Sequence, residues 1–183
     1  MSTAWRRRQL TMARELYGIE RQSIATHEAG HCVVGRHFKL PVTGVEVIVR
    51  VEKTPGWGSH HGRTTTGVRD YERLSASAQL TIFASGAAAE RHLLGRDRGA
   101  DGDDQVRADA IARRASPNNP DRLLEQARVE ADRLVVLHGD EIRKLADQLI
   151  VRGQLDAGEI DALLTRQEVY RVADFNRKDG YFR

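Results

Sequence analysis

The chain reads mostly in helical periods, interrupted once by strict alternation. In the segment Val42–Val51, Val45, Val47, Val49 and Val51 fall on one face and Glu46, Ile48 and Arg50 on the other, which predicts a half-buried strand. Pro55-Gly56-Trp57-Gly58 is a turn signal, so Ser59–Thr66 is expected to return as a second strand, antiparallel to the first. The rest predicts helices. A short polar one covers Arg7–Gly18. A second runs from Ile19 to Phe38, loosened by Gly35 and stopped by Pro41. A long one covers Asp70–Leu94, and its second half is built of small residues, Ala84-Ser85-Gly86-Ala87-Ala88-Ala89. Small side chains let helix backbones approach closely, and Ala29-Gly30 is the surface expected to face them. Another helix covers Asp103–Arg114. Asn119-Pro120 supplies an N-cap and a proline at the first helical position of a helix running to His138, where Gly139 ends it. Ile142, Leu145, Ala146, Leu149 and Ile150 keep helical spacing until Gly153. Asp156 and Glu159 form a capping box for a last helix with Ile160, Leu163 and Leu164 inward. The expected fold class is therefore mainly α with a small antiparallel β element and a C-terminal helical bundle.

Composition narrows the classes. A length of 183 residues with 40% hydrophobic and 30% charged residues suits one globular domain, or one domain with a helical extension. The single cysteine, Cys32, excludes an internal disulfide framework, fits a reducing compartment and reads as a small core residue. No apolar run approaches the roughly 18–20 residues of a membrane helix. The opening MSTAWRRRQLTMARELYG has no apolar signal core, so a cytoplasmic setting without membrane contact is expected. The net charge of +3 gathers in residues 1–23, which hold five arginines against Glu15 and Glu20. The cluster Arg6-Arg7-Arg8 lacks interleaved aromatics or a DNA-binding motif, and nucleic acid is disfavoured as a partner.

The chemistry lies in His27-Glu28-Ala29-Gly30-His31, an H-E-x-x-H sequence. Two histidines four apart on a helix stand about 40° apart and one turn above each other. Both imidazoles can then reach one Zn²⁺ at about 2.0–2.1 Å. Glu28 projects beside such a metal, where a general base for a bound water belongs. The surrounding THEAGHCVVGRH contains no proline, and burying two histidines and a glutamate is costly unless they find partners. A catalytic zinc usually takes a third protein ligand. His37 stands where H-E-x-x-H-x-x-G-x-x-H would put a third histidine, but the glycine position is Val34, and Gly35 comes one residue late. On a continuing helix His37 lies about 80° around and about 15 Å along the axis from His27, out of reach of the same ion. His60 and His61 are adjacent in a strand and point to opposite faces. Glu90, in the run GAAAE, is a candidate. So is the acidic cluster Asp101, Asp103 and Asp104, whose carboxylates could equally cap the helix that follows.

Four segments carry a resemblance to the peptidase domain of FtsH-type ATP-dependent zinc metalloproteases. They are THEAGHCVV, LPVTGVEVIVR, FASGAAAERHLLG and GADGDDQVRADAIAR, within a resemblance that spans Ile19 to Leu164. It implies a helical zincin-like metallopeptidase domain over 19–167, with the metal helix at 19–38, strands within 42–66 and helices within 70–164. A basic N-terminal segment (1–18) would precede it and a polar tail (168–183) would follow. It also implies that an aspartate after the Gly-Ala pair is the third zinc ligand. The spacing G-A-x-x-D selects Asp103, whereas alanines four and eight residues downstream select Asp104. Asp104 is preferred, with Asp103 the alternative, because a helix resists insertion more than a loop does. The chain departs from the family in having no G-x-x-x-x-G-K-[ST] loop, no membrane segment and a short stretch between Arg114 and Asn119. ATP-driven unfolding, hexamer formation and membrane anchoring are therefore not carried over.

The resulting expectation is a zinc-dependent metalloendopeptidase acting on unfolded proteins or peptides. His27, His31 and Asp104 would hold the zinc. Glu28 would take a proton from zinc-bound water and pass it to the leaving amine. The strand Val42–Val51 would pair with an extended substrate. The alternative is a non-hydrolytic metal-binding or regulatory module that keeps the fold. A separate ATPase or adaptor partner and a homo-oligomer both stay open.

Overall fold

The computed structural model describes residues 3–51, 58–96 and 102–164. The chain is mainly helical, with a three-stranded antiparallel sheet. Helix α1 runs unbroken from Thr3 to His37, 35 residues, where the sequence pattern predicted two helices parted near Gly18. A lone glycine costs a helix interior only about 1 kcal/mol, and no proline lies within the span. The helix ends two residues past Gly35. Lys39 adopts the left-handed conformation (φ 61°), its N–H donates to Arg36 O at 2.9 Å, and Leu40 N–H donates to Gly35 O at 3.0 Å. Leu40 is buried, so the capping turn is pinned by an apolar contact.

Strands β1 (Val42–Val51) and β2 (Gly58–Thr66) form the expected antiparallel pair, with Val45 opposite Thr64. A third strand, β3 (Gln154–Asp156), pairs with the other edge of β1, Val45 opposite Leu155. The sheet order is β2-β1-β3. Both edges of β1 are thus occupied, which corrects the expectation that this strand pairs with a substrate; the outer strand on that side is β2.

The single helix predicted over 70–94 is two, α2 (Val68–Glu72) and α3 (Ala76–Leu94). Ser75 separates them, because its hydroxyl accepts from Ala78 N–H at 3.2 Å and starts a new helix. Helix α4 (Gly102–Ala115) leads to α5 (Pro120–Leu137), where Asn119 caps Arg122 N–H and Pro120 opens the first turn. Gly139 does not end α5 but is the first residue of α6 (Gly139–Arg152), and His138 is the cap shared by the two. The capping box is present in full. Asp156 Oδ1 accepts from Glu159 N–H and Glu159 Oε2 accepts from Asp156 N–H, each at 2.9 Å, and they open helix α7 over 157–164.

One core joins α1, α3, α5, α6, α7 and the sheet through residues such as Ala25, Cys32, Val34, Val45, Leu145 and Leu149. A smaller cluster of Leu80, Ala108, Ala112 and Ala127 fills the space between α3, α4 and α5. Among the described residues no helix is long and apolar enough to cross a membrane. Residues 55–57, Asp101 and the tail 168–183 lie outside the described residues, as do the side chains of Arg6, Arg7, Arg8, His60 and His61.

Candidate metal centre

The site is built on the crossing of α1 and α3. A Cβ on Gly30 would stand 2.6 Å from Ser85 O and 2.9 Å from the Ala89 Cβ, so only glycine permits this approach. The crossing lays the His27–His31 turn against one stripe of α3: Ile82, Ser85, Gly86, Ala89 and Glu90. That stripe follows the i, i+3, i+4, i+7, i+8 spacing of a single helix face. Gly86 makes room for His27, since a Cβ there would meet Nε2 at 2.4 Å.

Each imidazole is oriented by a partner on α3. His31 Nδ1–H donates to Ile82 O at 2.8 Å, with the Ser85 hydroxyl at 3.4 Å. His27 Nδ1–H donates to Glu90 Oε1 at 2.9 Å. A carbonyl and a carboxylate only accept, so each ring has its Nδ1 protonated and, in its neutral form, presents the lone pair of Nε2. Those two atoms converge on Asp104 Oδ2, on the first turn of α4, at 3.3 Å from His27 and 2.9 Å from His31. Asp104, and not Asp103, is therefore the aspartate that meets the histidines.

Three lone-pair atoms so close repel unless a cation stands among them. Either a proton or a metal ion can do so. For the proton, burial alone would lower the pKa of His27. The carboxylates of Asp104, Glu90 and Glu28 outweigh that burial and raise it to about 10. The Asp104 carboxyl is held well below the usual carboxylate range; burial opposes the shift, but hydrogen bonds from His27 and His31 dominate. For the metal, the three ligand atoms lie within 4.8 Å of one another, and ligands about 2.0–2.1 Å from a tetrahedral ion stand about 3.4 Å apart. Glu90 adds to the demand for positive charge. It is 2% exposed, and its Oε2 has no hydrogen-bond partner among the described residues. The group His27, His31 and Asp104 could thus hold a metal ion.

Glu28 stands beside this group, on the side of the sheet. Its Oε2 accepts from the Thr64 hydroxyl at 2.7 Å, on β2. Gly62, also on β2, lies against its Cγ and Oε1, with a would-be Cβ at 2.3 and 2.5 Å. The carboxylate is buried and fixed, yet makes no bond to the two imidazoles. A cavity of about 210 Å³ opens next to Asp104, lined by Leu80, Phe83, Ala87 and Leu124 and by the polar Arg91, Gln105 and Arg128. Tyr71 completes the surroundings. Its hydroxyl donates to Gln79 O at 2.9 Å, and its pKa is raised, by burial first and then by the Asp104 charge.

The other sequence candidates fall elsewhere. His37 lies at the C-terminal end of α1, 3.1 Å from His138, away from Asp104. Glu90 is not a ligand candidate alongside the imidazole Nε2 atoms; it holds the opposite nitrogen of His27. Cys32 is fully buried, and burial pushes its thiol up to about 12. Sequence reasoning missed Thr64, Ser85 and Ile82 O as partners, and missed why Gly62 and Gly86 are glycines. The signal for the α3 residues was the small-residue stripe that ends in Glu90. No model of a known protein family matches the chain, and no curated protein matches it either.

Proposed function

We propose that the chain is a zinc-dependent metalloendopeptidase with a zincin-like fold, and that its resemblance to FtsH-type peptidase domains reflects a shared site. One observation carries this reading: two imidazoles four residues apart, each with Nδ1 held by an acceptor, aim Nε2 at Asp104, while Glu28 stands free of the cluster and beside it. His27, His31 and Asp104 would hold the zinc, and the outer-shell partners Glu90 and Ile82 O fix both ring orientations. A zinc ion bound there supplies a Lewis acid for the peptide carbonyl and lowers the pKa of water towards about 7.

The remaining work belongs to the chain. Glu28 accepts the proton of the attacking water and delivers it to the departing amine. The Thr64 hydroxyl keeps the carboxylate from rotating away during that transfer. The outer edge of β2, which carries Thr64 and Gly62 past Glu28, offers backbone groups to an extended peptide. The cavity beside Asp104 offers room for one side chain of that peptide. These requirements favour unfolded proteins or peptides, because a folded chain cannot add a strand there. The 183 residues contain no phosphate-binding loop, so ATP-driven unfolding is no part of the proposal.

The test is cleavage of an unfolded protein by the zinc-loaded chain, compared with Glu28→Gln. The variant should keep its zinc and lose about 10²–10⁴ in rate. Equal cleavage by both proteins refutes the mechanism. Full zinc occupancy with no cleavage by either refutes the peptidase reading in favour of a non-hydrolytic metal-binding module.

A further inference from the structure

The end of α1 carries a second pair of imidazoles that the reaction does not use. His37 Nδ1 and His138 Nε2 lie 3.1 Å apart although 101 residues separate them in sequence. The rings meet edge to face, with centroids 5.2 Å apart. Glu141 Oε2 accepts from His138 Nδ1–H at 2.5 Å. With its proton on Nδ1, the neutral His138 ring presents Nε2 to His37, an orientation set by Glu141 as Glu90 sets that of His27.

We propose that His37 and His138 form a second, surface site for a borderline divalent transition ion such as Zn²⁺ or Ni²⁺. Two nitrogens about 2.0–2.1 Å from one ion stand about 2.9 Å apart at right angles and about 3.4 Å apart in a tetrahedron. The observed 3.1 Å lies between these limits, so the separation of the two nitrogens suits a shared ion. In the metal-free chain His37 Nδ1–H donates to His138 Nε2. On binding, His37 carries its proton on Nε2 instead, a tautomer change that releases no charge.

The surroundings favour a neutral pair. His37 sits in the last turn of α1, and His138 caps both the C-terminus of α5 and the N-terminus of α6, so two carbonyl ends and one amide end meet here. The His37 pKa is lowered, by burial first and then by His138 and Arg133, which keeps the ring free for a metal at neutral pH. Glu130 neutralises Arg133 through two bonds at 2.7 and 2.8 Å. Water would fill the other coordination positions, and binding should be at least about tenfold weaker than at the three-ligand centre.

Equilibrium dialysis of the full chain against Zn²⁺, and separately Ni²⁺, tests this by counting bound metal. The wild type should bind two equivalents, one tight and one weak. His37→Ala and His138→Ala should each lose only the weak one. Glu141→Gln should weaken it about tenfold, as loss of an outer-shell carboxylate does. His27→Ala should lose only the tight one. A wild type that binds a single equivalent, or a weak equivalent that survives both His37→Ala and His138→Ala, overturns the proposal and leaves the pair as a hydrogen bond. Either alanine variant suffices, since both rings are on the surface and circular dichroism shows whether the helices persist.

Discussion

Helix α1 contributes to two imidazole pairs, His27 with His31 and, ten residues after His27, His37 with His138 of the α5–α6 corner, and their surroundings differ. At His27 and His31 the rings are about one-tenth exposed and face a carboxylate oxygen at 2.9 and 3.3 Å. At His37 the partner is a histidine from the α5–α6 corner, and no carboxylate joins the nitrogens that meet. Both pairs have an outer carboxylate on an Nδ1: Glu90 for His27 and Glu141 for His138. If both pairs take a metal as proposed, histidine count and ring orientation should not rank them; the third charged ligand, together with burial that strengthens its attraction, should.

Removing that ligand should therefore give the largest effect. Asp104→Ala should weaken zinc binding at the central site by more than the roughly 100-fold that loss of an outer-shell partner costs at most, and abolish cleavage with it. His138→Ala should change neither. Should Asp104→Ala retain tight zinc, Asp104 is no ligand and the contrast between the pairs collapses; a zinc titration with a competing chelator decides.

Next come the residues that only orient. Glu90→Leu frees the His27 ring and should weaken zinc about 10–100-fold. Gly86→Ala should do the same by a different route, because the new methyl would meet His27 Nε2 at 2.4 Å and push the ring off its line. Alanine is about 1 kcal/mol the better helix former at that position. Helix content should hold or rise while zinc affinity falls. An unchanged affinity in Gly86→Ala would mean that ring orientation does not limit binding.

These residues also mark what was legible in the sequence. His27, Glu28 and His31 were legible because one helix turn fixes their relation, and Asp104 was preferred to Asp103 only through the helical register of the FtsH-type resemblance. The strand β1 was legible from alternation, and the caps at Asn119 and Asp156 from local hydrogen bonding. What escaped reading depends on tertiary approach. Gly86 and Gly62 are glycines because of side chains that arrive from another element. β3 is three residues long and exists only because β1 has a free edge. Ser75 split a helix whose periodicity continues across it, since a hydroxyl cap competes with the ladder locally. The His37–His138 pair joins positions 101 residues apart, and no spacing rule reaches that far.

The smallest effect should separate the two pairs by the sign of their pH dependence. In the metal-free protein the His27 pKa is raised from its ordinary 6.5 to about 10. The folded state then holds a proton that the unfolded state releases. That contribution is fully present below pH 6.5 and is lost as pH rises through about 10. The metal-free melting temperature should fall between pH 7 and pH 10, at about 2–4 °C for each kcal/mol lost in a chain of this size. His37 shifts the other way, lowered from 6.5. The unfolded state binds that proton more readily, so this pair costs stability only on the acid side, as pH falls below 6.5. Zinc at the central site replaces the shared proton and should flatten the alkaline limb, whereas on the acid side protons displace it from the histidines and its stabilisation is lost. His37→Ala should soften the acid limb alone. Melting curves of metal-free and zinc-loaded protein from pH 5 to pH 10 measure both. An alkaline limb that zinc does not flatten would show that His27 and Asp104 do not share the proton their geometry calls for.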